Sequence, residues 1–117
     1  MIEMSPSSKV KVIFSGLSMS GVSSVTSLFV TGCYWGSDIW YHPNENWTRI
    51  QRSVDNLNLA LFDLSGETSF LDKATTKLSK FIFKDVTILI YIFDLYDVKN
   101  LPQAKFYLEK ELECLSK

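Results

Sequence analysis

The sequence has one histidine, His42, and two cysteines, Cys33 and Cys114, in 117 residues. Two cysteines so far apart give neither metal-ligand spacing nor a disulfide framework, which fits reduced thiols in a cytosolic protein. A single histidine with no Cys or Ser nucleophile signature gives no catalytic constellation, and His42 reads as a loop residue. No block of lysine and arginine stands out and the net charge is -1, which argues against nucleic acid as a partner. The longest apolar run, "VTILIYIFDL", is too short to span a bilayer and carries an acid. The opening "MIEMSPSSK" lacks the basic and apolar regions of a secretory signal, so the sequon Asn46 to Thr48 has little meaning. Ile2 stands where myristoylation needs glycine, and "CLSK" ends in lysine, a poor terminal residue for prenylation. At 46% hydrophobic and 21% charged, the composition is that of one globular domain with one core.

Three segments read as buried strands: Lys9 to Ser15, Asn56 to Asp63, and Asp85 to Asp94. The third is almost continuously apolar, which suits a central parallel strand covered on both faces. Helices are expected over Val22 to Thr31, Leu71 to Phe83 and Leu101 to Leu115. The last has Pro102 in its first turn and repeats Ala104, Tyr107 or Leu108, Glu111, Leu112 and Leu115 at helical spacing. Its Lys105, Glu109, Lys110 and Glu113 read as a solvated face, with Lys105 and Glu109 at i,i+4. Between the first helix and the second strand, "GCYWGSDIWYHPNENWTRIQRSV" reads as a long loop leading into an edge strand near Thr48 to Val54. Its aromatic residues Tyr34, Trp35, Trp40, Tyr41 and Trp47 are either a partner surface or packing against the sheet edge. The order of elements predicts an α/β fold, an open and mostly parallel sheet with helices on both faces.

Ligands in such sheets bind at the carboxyl ends of the strands. Three polar elements stand there: "SGLSMSGVSS", "DLSGE" and "DLYD". In the first, Gly16 and Gly21 frame a loop whose N–H groups suit phosphate oxygens, at the positive end of a following helix. Ser23 is placed to offer a hydroxyl to Mg²⁺. Val22 stands where the phosphate loop needs lysine, and a charge-assisted contact is worth ~1.5–3 kcal/mol. Lys9, Lys11 and Arg49 are the nearest cations in sequence. In the second element Asp63 and Gly66 match a D-x-x-G pattern, metal-side acid and phosphate-sensing N–H. Glu67 takes the position where a glutamine would orient the attacking water. The alternative for each element is a strand-end turn with no ligand.

Together "KVIFSGLSMSGVSSVTSLFV", "LALFDLSGETSFLD" and "FIFKDVTILIYIFDLYD" resemble the Rag branch of the Ras-superfamily GTPases, regulators of the TOR kinase complex in response to amino acids. The first block is closer to the C/D type and the third to the A/B type. The resemblance runs from Lys9 to the end of the chain and implies a P-loop GTPase-like fold that binds GTP or GDP with Mg²⁺. It assigns the nucleotide to Gly16, Ser20, Gly21, Val22, Ser23, Ser24, Thr48 and Gly66, and the metal to Ser23, Thr48 and Asp63. Glu67 is then the residue at the catalytic position. The resemblance further implies another Rag-type subunit and TOR-pathway proteins as partners, and a cytoplasmic location peripheral to lysosome or vacuole.

Several departures bear on activity. Val22 and Glu67 alter the chemistry. Lys117 falls in what should be the third helix, and neither the asparagine-lysine-x-aspartate element that selects guanine nor the C-terminal pairing domain has a counterpart. The expectation is therefore a single partial GTPase-like domain over 1–117. Residues 1–8 form a flexible arm and 9–117 form the N-terminal half of a truncated G domain. Three functions compete: a nucleotide switch with weak chemistry, a nucleotide-free pseudo-GTPase that acts as an interaction module, and a truncated product with no independent role.

Overall fold

The structure, a computed structural model, describes residues 9–17, 20, 38–42, 47–54, 57–64 and 66–116. Strand β1 (Lys9–Gly16) pairs in parallel with β4 (Leu57–Leu64) on one side and β5 (Ile88–Ile92) on the other. An antiparallel pair, β2 (Asp38–His42) and β3 (Trp47–Val54), extends the sheet from β4 and gives the order β2-β3-β4-β1-β5. The expected open α/β sheet is thus present.

Side chains alternate between the faces of a strand, and β1 fills both with apolar residues. On one face Ile13 joins Phe62, Leu64, Phe70, Ala74, Ile82 and Phe83 in a buried cluster. Phe70 and Ala74 come from α1 (Thr68–Ala74) and Ile82 from α2 (Ser79–Ile82). The third helix, α3 (Leu101–Leu115), adds Cys114 and Leu115 to the same cluster. On the other face Val12 and Phe14 are buried with Leu61. The helix expected over residues 22–31 lies outside the described residues, as does the arm over 1–8.

Helix α3 has the expected bounds, and its stripe Ala104, Tyr107 and Glu111 is buried. Directed contacts fix its register. The Tyr107 hydroxyl donates to Asp72 Oδ1 of α1 at 2.8 Å, and the Tyr91 hydroxyl of β5 donates to the Ala104 carbonyl at 2.7 Å. Leu112, expected on the apolar stripe, is instead half exposed. Lys105 and Glu109 do pair, at 3.8 Å, but so exposed a bridge adds little.

Four expectations are corrected. The strand read as central, β5, lies at the edge of the described sheet. Its apolar run reflects partial cover on both faces, with Leu89 against one cluster and Ile90 and Ile92 against the other. The segment read as a long loop contains β2, and β3 is therefore an inner strand rather than an edge. Trp40 and Tyr41 lie on β2 and Trp47 on β3, whereas Tyr34 and Trp35 lie outside the described residues. Finally, the helix expected over Leu71 to Phe83 is two short helices. Thr75 and Thr76 turn their hydroxyls onto the carbonyls of Leu71 and Asp72, and the Leu78 N–H reaches back to the Lys73 carbonyl at 2.9 Å. Such local side-chain bonds compete with helix continuation.

Lys11 secures the opposite end of the sheet from the glycine loop. Its Nζ donates to the Phe81 carbonyl at 3.1 Å and the Lys84 carbonyl at 3.0 Å, and lies 4.9 Å from the centre of the Phe62 ring. The cation thereby satisfies carbonyls around the end of α2, which favour positive charge. Replacing it with methionine keeps the stem and removes the donors. We expect Lys11→Met to lower the unfolding free energy by about 1–3 kcal/mol in urea titration; an unchanged midpoint would mean that water replaces the cation at no cost.

The core also holds an acid. Glu111 is fully buried, and its Oε2 accepts a 2.7 Å hydrogen bond from Ser15 Oγ. Burial pushes its carboxyl up from 4.5 to about 7, against the opposing pull of the Ser15 bond. The unfolded chain releases this proton at lower pH than the folded one. The group's contribution to stability is therefore full below about pH 4.5 and is lost as pH rises through about 7. The loss is on the order of 3 kcal/mol. Measured as unfolding free energy from pH 4.5 to 8, the wild type should fall relative to Glu111→Gln, whose side chain cannot ionise. Parallel pH profiles would show that the acid is hydrated in the folded state.

Candidate functional site

The carboxyl ends of β1, β4 and β5 point the same way, because the three strands are parallel. Gly16 ends β1, buried, with φ 157°, a positive value that glycine reaches most readily. The chain then turns: Leu17 accepts at its carbonyl from the Ser20 N–H at 3.2 Å. The Ser20 Oγ is buried with no hydrogen-bond partner among the described residues. Gly21, Val22, Ser23 and Ser24 lie outside the described residues.

Asp63 is the next-to-last residue of β4. It stands beside Phe14 in the parallel register with β1 and opposite Thr48 in the antiparallel register with β3. The two residues expected on the metal side are thus opposed positions of one rung. Gly66 and Glu67 follow β4. The Glu67 carbonyl accepts the N–H groups of Phe70 at 3.0 Å and Leu71 at 2.9 Å, which makes Glu67 the N-cap of α1 by its main chain; its side chain is exposed.

An open cleft of about 420 Å³ separates these elements. It is bordered by Leu17 after β1, by Gly66, Glu67 and Thr68 at the start of α1, and by Asn100 and Gln103 at the start of α3. A second recess of about 10 Å³, near the volume of a single water site, touches Leu17, Ser20, Asp94 and Asp97. The "DLYD" acids have a structural task there. Asp94 Oδ1 accepts the Tyr96 N–H at 2.9 Å and Asp97 Oδ2 accepts from the Asn100 side chain at 2.8 Å, shaping the turn into α3.

The fold brings Gly16, Ser20, Thr48, Asp63, Gly66 and Glu67 to one end of the sheet. Lys9 and Lys11 are not there. Five residues of extended strand separate Lys11 from Gly16, roughly 16 Å, and the Lys11 ammonium is engaged at the far end. Arg49 is at the right end by register, opposite Phe62 and one residue from the Thr48–Asp63 rung. Among the described residues no group of three or more His, Cys, Asp or Glu side chains forms a metal cage. Mg²⁺ does not need one, as it binds through one or two protein oxygens, phosphates and water.

Leu17, Asn100 and Gln103 line the cleft without having been legible as site residues. Nothing in their types or spacing distinguishes them from turn and helix-surface residues. Glu111 carried a signal, an acid on the buried stripe of α3, but its partner Ser15 became visible only in three dimensions.

Comparison with known proteins agrees with this architecture. A search of curated protein sequences finds no significant match. Among solved structures, the chain is similar to the "T. brucei IFT22/74/81 GTP-bound crystal structure", with a TM-score of 0.54 and 17% identity. The match covers 86% of this chain and 57% of the other, so the chain spans a little over half the length of that neighbour. At that identity the likeness is one of fold. The family model described as "Gtr1/RagA G protein conserved region" matches residues 11–117. The chain belongs to the Gtr1/RagA family of G proteins.

Proposed function

We propose that this chain is a Rag-like GTP-binding regulatory domain with weakened phosphate chemistry, acting in amino-acid signalling to the TOR kinase complex. The observation that supports the nucleotide reading is that strand register brings Gly16 and the Thr48–Asp63 rung to the end of the sheet where Gly66 borders the cleft. In this reading the turn from Gly16 through Ser20, Gly21, Val22, Ser23 and Ser24 offers N–H groups to the phosphates of GTP or GDP. Ser23, Thr48 and Asp63 hold Mg²⁺, which when bound neutralises phosphate charge. The Gly66 N–H senses a terminal phosphate in the same reading. Val22 supplies no cation, which weakens binding about ten- to a hundred-fold for ~1.5–3 kcal/mol. Glu67 brings a carboxylate where a neutral amide would orient water, so like-charge repulsion slows hydrolysis.

Family membership supports the remaining parts of the proposal: pairing with another Rag-type subunit, contact with TOR-pathway proteins, and action in the cytoplasm peripheral to lysosome or vacuole. Among the described residues no helix is long and apolar enough to cross a membrane. As a unit, the chain fits a single partial G domain. A second reading, a nucleotide-free pseudo-GTPase serving as an interaction module, is favoured by Val22 and by the engagement of Lys11 far from the loop.

Titration of the purified chain with fluorescent GDP and GTP, with and without Mg²⁺, separates the two. The switch reading expects saturable, magnesium-dependent binding that Ser23→Ala weakens. Val22→Lys should tighten it about ten- to a hundred-fold. No binding by the folded protein, unchanged by Val22→Lys, would favour the pseudo-GTPase, whose partner binding should survive nucleotide removal. If GTP binds, Glu67→Gln should raise the single-turnover hydrolysis rate; an equal rate would remove Glu67 from the reaction.

A further inference from the structure

We infer that Glu111 is a positioning residue for Gly16 at the end of β1, clamping α3 through Ser15, the strand position before that glycine. Ser15 and Glu111 are both fully buried, 0% exposed, and their 2.7 Å hydrogen bond joins α3 directly to β1. The other carboxyl oxygen, Oε1, has no hydrogen-bond partner among the described residues. A neutral acid tolerates that arrangement, whereas an anion with one bond and no counter-charge does not.

Among the described residues, the groups around Glu111 are committed elsewhere. From β5, Tyr91 faces it, but the Tyr91 hydroxyl is committed to the Ala104 carbonyl and is pushed up by burial first and by Glu111 second, so it stays neutral. On α3 itself, Tyr107 lies one turn before, bonded to Asp72 of α1, and Cys114 lies three residues on, with its thiol on the Thr75 carbonyl. The cations nearest on the helix are placed elsewhere: the Lys110 ammonium lies 4.9 Å from the Phe106 ring centre, and Lys105 pairs with Glu109. From β1, Ser15 reaches the carboxyl. The carboxyl therefore holds its proton up to about 7. Above that pH the anion recruits water, and water reaches Oε1 when α3 draws back from β1, which frees Ser15 and the glycine beside it. The clamp itself does not depend on nucleotide; its effect on affinity rests on the nucleotide reading above.

Hydrogen exchange followed by mass spectrometry tests the clamp on the intact chain. Peptides covering 15–17 and 104–111, corrected for intrinsic rates, should lose about ten-fold protection between pH 6 and pH 8 in the wild type. Glu111→Gln, neutral and isosteric, should show no such loss. Fluorescent GDP titrated over the same range should bind more weakly above pH 7 in the wild type, and with unchanged affinity in the variant. Protection that is independent of pH in the wild type overturns the clamp. Protection that switches while GDP binds with constant affinity overturns the positioning role. Protection that switches while no nucleotide binds at any pH supports the clamp and overturns the nucleotide reading instead.

Discussion

The two-sided pairing of β1 is the constraint on which the rest of the molecule depends. This strand bonds to β4 and β5 along its edges and buries Ile13 on one face and Val12 and Phe14 on the other. With edges and faces both occupied, its register cannot slip without turning a complete apolar set toward the wrong cluster. Gly16 is held at the end of this fixed rod, and the carboxyl ends of β4 and β5 are set beside it by parallel pairing. The cleft at Leu17 and Gly66 follows from that arrangement rather than from any contact within the cleft.

Charge is distributed along the sheet in a way that bears on chemistry. At the amino end of β1, Lys11 is bound to two carbonyls and an aromatic ring. At the carboxyl end stand Asp63, Glu67, Asp94 and Asp97, with Arg49 the cation that strand register brings near. Among the described residues the acids at that end therefore outnumber the cations. Fold and fixed charge are thus separate properties of this sheet: parallel pairing sets the strand ends side by side, whereas the position of Lys11 is set by the carbonyls that hold it.

Glu111 shows the same economy of polar groups in the core. An acid on the buried face of α3 is tolerated because Ser15 supplies one bond, and it connects the helix with the strand from which the loop departs. Hydrogen bonds from Tyr107 and Tyr91 fix the same helix from either side. Helix α3 is thus held by directed bonds as well as by apolar contact, and one of those bonds runs to the residue preceding the loop.

Periodicity and punctuation made β1, β4 and α3 legible within about a residue at each end, because their patterns arise from burial that each segment undergoes whatever its neighbours. The candidate site was legible as residue types at strand ends: Gly16 ends β1, Asp63 is the next-to-last residue of β4 and Gly66 follows it. Other features depended on partners distant in sequence. The apolar run of β5 is the same for a central strand as for a half-covered edge, and β2 became a strand by pairing with β3. Two threonines divided a helix whose apolar spacing was continuous. The distance of Lys11 from the loop, the Thr48–Asp63 rung and the Ser15–Glu111 bond are properties of register and docking, which local pattern does not encode. Composition and spacing thus established the kind of fold, and the resemblance of three blocks to a known family supplied the chemistry to look for. Which charges meet at the site was left to strand order and helix packing, because electrostatic contacts depend on distances that only the assembled chain defines.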